Sequence, residues 1–109
     1  MPHHKAQVFY NQELAGTLQQ LPGGYEFAYT ADYLKRPGAL PISQTMPLQA
    51  EPFKSSTLFP FFDGLLPEGW LLDLTASVLK IDSHDRFELL LHTGSDTVGA
   101  VTVRPAPEG

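Results

Sequence analysis

The sequence predicts an α+β domain: a small antiparallel β-meander or sheet with a closing C-terminal strand and about three helices. Three observations predict it. Up to Tyr29, short apolar runs are separated by polar or glycine-rich turns; beyond Ser55 the apolar spacing lengthens to that of helices; and Gly99-Ala100-Val101-Thr102-Val103 returns to strand alternation. The 109 residues and 12.0 kDa fit one domain, taken as residues 1–109 with its core over about 7–104.

Each element follows from local chemistry. Gln7-Val8-Phe9-Tyr10 and Leu14-Ala15-Gly16-Thr17-Leu18 flank Asn11-Gln12-Glu13, a polar turn of hairpin length. Leu21-Pro22-Gly23-Gly24 is a second turn, and Tyr25-Glu26-Phe27-Ala28-Tyr29 then places three aromatics on one face. Prolines 37, 41, 47 and 52 forbid a helix and imply an extended connector on the surface or at a sheet edge. Ser55-Ser56-Thr57 offers N-cap oxygens to a short helix containing Pro60 in its first turn and ending near Gly64. Pro67-Glu68 opens a longer helix to about Lys80, with Glu68 at the positive end of the dipole and Lys80 at the negative end. Asp82-Ser83 is expected to cap a third helix over about Asp85 to His92, terminated by Gly94.

Composition narrows the function. Seven Lys and Arg against twelve Asp and Glu give a formal charge of -5, and no basic run exceeds Lys35-Arg36, which argues against direct nucleic-acid binding. No cysteine is present, so disulfides, thiolate metal sites and cysteine nucleophiles are excluded. The N-terminal residues lack the apolar segment of a signal peptide, and the longest uncharged stretch, Pro37 to Ala50, is too rich in proline and polar residues to span a membrane. A cytoplasmic location is expected.

Candidate chemistry is thin. Ser83-His84-Asp85 holds triad residue types, but sequence neighbours at a helix start diverge in space, so a capped helix is the better reading. His3, His4, His84 and His92 show no metal-ligand spacing. Asp63 and Glu68 imitate a carboxylate pair, yet a turn cap and a helix start account for them, and Gly23-Gly24 lacks the context of a phosphate loop. No catalytic residue, metal or cofactor is assigned.

The helix around 68–80 is more informative because it has two apolar faces. At 100° per residue Leu71, Leu74, Val78 and Ile81 share one arc, expected to face the core with Phe62, while Leu72 and Leu79 lie more than 100° away. The second face packs under the connector or belongs to an interface. Trp70, the only tryptophan, is a core plug or an interface anchor.

Three segments in order, Leu40-Pro41-Ile42-Ser43-Gln44-Thr45-Met46-Pro47-Leu48, Leu58-Phe59-Pro60-Phe61-Phe62-Asp63-Gly64-Leu65-Leu66-Pro67-Glu68 and Asp96-Thr97-Val98-Gly99-Ala100-Val101, resemble the N-terminal subdomain of HipA-type serine/threonine kinase toxins. With Val8-Phe9-Tyr10-Asn11 and Leu14-Ala15-Gly16, the resemblance runs from about Val8 to Val103. In that family the subdomain precedes the kinase core, and none of the core's catalytic residues has a counterpart among these 109 positions, so a non-enzyme is expected. A separate copy is similar to the HipS antitoxins of tripartite HipBST systems. The resemblance implies that the chain binds and neutralises a HipA-like (HipT-like) kinase, with a HipB-like protein handling DNA. A non-catalytic structural or activating subunit of a split kinase is the alternative. Pro67-Glu68-Gly69-Trp70-Leu71 departs from the expected fused pattern, which favours Trp70 as an anchor; Trp70, Leu72, Leu79, Glu68, Gly69 and Asp63 form the expected partner-binding set.

Overall fold

Strands Lys5–Tyr10 (β1) and Glu13–Leu21 (β2) pair antiparallel across a two-residue turn, Asn11-Gln12, whose backbones both take positive φ, 49° and 73°. That is the hand of turn that matches strand twist; asparagine suits it and glutamine does not. The computed structural model describes residues 5–67, 69–95 and 99–106. Gly24–Tyr29 (β3) returns against β2, and Phe53–Ser55 (β4) pairs with β3 where the connector ends. Val101–Pro105 (β5) closes antiparallel on β1, giving the order β4-β3-β2-β1-β5. The architecture is the expected α+β fold with two additions, β4 and a one-turn helix at Ala31–Leu34 (α1), capped by Thr30 Oγ1 accepting from the Tyr33 N–H. Both are too short for periodicity to register.

The remaining helices are Pro60–Asp63 (α2), Gly69–Leu79 (α3) and Arg86–Thr93 (α4). Two expected caps are corrected. Phe59 stands at the N-cap of α2 without a side-chain bond, because Ser55 belongs to β4 and its Oγ accepts from the Thr57 N–H instead. Asp85, not Asp82 or Ser83, caps α4 by accepting from the Glu88 N–H at 3.3 Å.

One face of the sheet carries the core. Val8, Leu18, Phe27 and Val103 are fully buried and join Phe62, Phe87, Leu89 and Leu90 of the helices in one cluster. Phe27 is its centre, with the rings of Tyr29, Phe62 and Phe53 at 5.0, 5.5 and 6.3 Å. The connector is less superficial than its prolines imply: Ile42 and Met46 are buried, because the Tyr29 phenol accepts from the Ile42 N–H at 3.0 Å and donates to the Met46 carbonyl. A polar group buried with both bonding roles filled fixes the segment to the sheet. Gly94 ends α4 so close to β5 that an added Cβ would lie 2.8 Å from Val103 Cβ, and its carbonyl accepts from the Val103 N–H. This bond covers part of the outer edge of β5.

Candidate functional site

The site is built on α3, whose ends are set by backbone geometry. Gly69 takes φ 58° at its start. At its end Lys80 takes φ 59°, its N–H bonding the Ser77 carbonyl and the Ile81 N–H the Ala76 carbonyl at 2.9 Å, a Schellman motif. Ile81 then packs back on the core, as the hydrophobic partner of such a motif does.

Four residues of the two apolar arcs are exchanged relative to the expected faces, while Ile81 packs on the core and Leu79 stays exposed. Ala76 is buried and Leu72 packs against the core, whereas Leu71, Leu74 and Val78 are 45, 52 and 71% exposed. The physical reason is size. Ala76 lets the helix axis approach the core, and the arc holding Leu72 and Ala76 then turns the three larger residues outward. Leu71, Leu74, Val78 and the half-exposed Leu79 form one wall of a groove of about 780 Å³. Gly64, Leu65, Leu66 and Pro67 of the α2–α3 loop, and His92 and Thr93 of α4, contribute to the rest of its lining.

The expected partner-binding residues divide accordingly. Leu79 lines the groove, and Leu72 faces the core and does not. Gly69 is exposed at the head of α3. Asp63 lies beside the groove residue Gly64, its carboxylate 3.3 Å from Arg86 Nε, an exposed ion pair of little energetic weight. Glu68 and the Trp70 side chain lie outside the described residues. Leu71, Leu74 and Val78, read from the sequence as core, are the residues that reasoning missed; the signal was Ala76, the small residue that marks the side of closest approach.

Elsewhere the chemistry is structural. His84 is almost wholly exposed, with its ring and backbone N–H on Asp82 Oδ1 at 3.1 and 2.9 Å, while Asp85 faces the α4 backbone, so Ser83, His84 and Asp85 do not converge. The His84 backbone and ring bonds hold the Asp82 carboxyl below its usual range. Burial pushes the phenols of Tyr29 and Tyr33 up. Among the described residues no group of three or more His, Asp or Glu is placed to hold a metal, and no helix is long and apolar enough to cross a membrane. An open apolar groove without convergent polar groups suits binding better than catalysis.

The family model described as the HipA N-terminal domain matches residues 6–104. An uncharacterized protein of Haemophilus influenzae is 39% identical over 98 residues, 90% of this chain and 89% of its own length. The putative kinase Y4mE of Sinorhizobium fredii is 35% identical over 99 residues, again 90% of this chain but 24% of its own. Among solved structures, the N-terminal domain of a HipA toxin superposes with a TM-score of 0.73 at 30% identity, covering 97% of this chain and 95% of that one. A chain of the Shewanella oneidensis MR-1 complex of HipA, HipB and operator DNA superposes with a TM-score of 0.74 at 25% identity, over 94% of this chain and 24% of that one.

Proposed function

This chain belongs to the HipA N-terminal domain family, and on that premise we propose that it is a HipS-like antitoxin, binding and neutralising a separately encoded HipA-like serine/threonine kinase. It has no catalytic role of its own and acts in the cytoplasm, with a HipB-like protein supplying operator recognition. The observation that carries this reading is the outward apolar face of α3: four large apolar residues more than a third exposed beside an apolar loop, on a chain that matches 24% of the length of the putative kinase Y4mE. Such a face on a small domain is stabilised by a protein partner. The Haemophilus relative, of which the chain covers 89%, supports the domain's working apart from a kinase core.

Co-expression with the kinase of the adjacent reading frame tests the reading. Growth and loss of kinase-dependent phosphorylation in the presence of this chain are the expected outcome. Phosphorylation that requires the chain would instead identify an activating subunit, and absence of any complex would overturn both. Within that complex Trp70 serves as the anchor: Trp70→Ala should weaken binding by about 2 kcal/mol or more with little change in melting temperature. A variant that melts early, or one that neutralises normally, would remove the anchor role.

A further inference from the structure

The helices pack on one side of the sheet, and the strands present a second set of side chains on the other. Alternation turns Lys5, Gln7 and Phe9 away from the buried Ala6 and Val8, and Thr102 and Arg104 away from Val101 and Val103. Lys5 and Arg104 are exposed, and Gln7, Phe9 and Thr102 are half-buried. The register sets Arg104 directly across from Gln7, so Lys5, two residues along β1, is its diagonal neighbour at about 7–8 Å. Arg104 also holds its guanidinium 5.3 Å over the Phe9 ring. Among the described residues neither cation has a carboxylate partner. Glu13 is taken by Arg36, and Glu26, on the open side of β3, stands across from Lys54, two strands from Lys5 and three from Arg104.

Two like charges set side by side without a counter-charge repel each other alone and gain from an anion between them. Their neighbours select its kind. Leu14, 38% exposed, stands across from Phe9, so an apolar corner adjoins the cations. A nucleic-acid duplex would bring its whole charge against the formal -5 of the chain, whereas a short acidic protein segment with one apolar side chain need meet only this face. We propose that the open side of β1 and β5 docks an acidic protein segment, its carboxylates on Lys5 and Arg104 and its apolar residue on Phe9 and Leu14. This surface lies across the sheet from the helices that form the α3 groove, so the proposal goes beyond the antitoxin reading and is independent of it.

Amide chemical-shift mapping of the full chain at about 50 mM NaCl, with a capped Glu-Glu-Leu-Glu-Glu peptide as the probe, tests this. Saturable shifts at Gln7, Phe9, Thr102 and Arg104, without matching shifts in α3, are the expected result. Affinity should fall at least about tenfold in about 500 mM NaCl, and about tenfold in Arg104→Glu at the lower salt. Should Arg104→Glu not fold, Lys5→Glu, also on an exposed position, carries the same expectation. No saturable shift, shifts centred elsewhere, or a folded charge-reversal variant that binds normally overturns the proposal. Tighter binding by a DNA duplex of arbitrary sequence also overturns it and assigns the surface to phosphate; concentration-dependent shifts at these amides without peptide overturn it in favour of a second copy. None of these outcomes bears on neutralisation of the kinase, so the two readings fail separately.

Discussion

Tyr29 shows how one side chain can hold a loop. Its hydroxyl links the Ile42 N–H and the Met46 carbonyl, so Tyr29→Phe strands two buried backbone groups and should cost about 1–3 kcal/mol, read as a lower urea midpoint. Burial raises the phenol's pKa in the folded state above its ordinary value near 10. Above that ordinary value the unfolded chain has released the proton that the folded chain keeps, so stability is full below about pH 10 and falls as pH rises toward the folded pKa. Urea unfolding at neutral and alkaline pH should show this fall, and Tyr29→Phe should show less of it. Gly16 fails differently. An added Cβ would lie 2.4 Å from the Ala28 carbonyl oxygen and 2.7 Å from the Phe27 ring, so Gly16→Ala should cost roughly 1–3 kcal/mol in thermal unfolding.

At the scale of elements, α3 closes with a lysine where glycine is the unstrained choice. Lys80 carries φ 59° at the C′ position, and Lys80→Gly should stabilise the domain by about 0.5–1 kcal/mol, raising the melting temperature by several degrees. A lower melting temperature would mean that the lysine side chain contributes more than its backbone costs. The helix meets the core through Ala76 and Leu72, with Ile81 just beyond its end, whereas α4 carries four buried residues in eight. In hydrogen exchange the amides of α3 should therefore open before those of α4 and the central strands. Equal protection of α3 and β2 in the free chain would contradict this.

For the whole molecule, the formal charge of -5 falls within residues 63–96, the segment that also carries the exposed apolar side of α3. Like charge on the apolar side opposes self-association, so the isolated chain should sediment as a monomer at micromolar concentration and low salt. A dimer persisting there would count against the charge argument.

Much of this was determined by the sequence alone. Apolar alternation marked β1, β2, β3 and β5, proline and glycine marked the breaks, and the spacing of α3 and α4 carried their extents to within about two residues, because these are local preferences of the backbone. The motifs around Ile42, Phe62 and Gly99 also carried the family. Tertiary structure decided what local preference leaves open. A helix with two apolar arcs has a period but no inside; Ala76 and the space left by the sheet turned Leu72 inward and Leu71, Leu74 and Val78 outward. The proline-rich connector likewise read as surface, and it was the phenols of Tyr29 and Tyr33, bonded to its backbone at Ile42, Met46 and Leu40, that held it on the core. Both outcomes depend on contacts between residues distant in the fold, where the free energy of burial is shared among elements and no single segment records it.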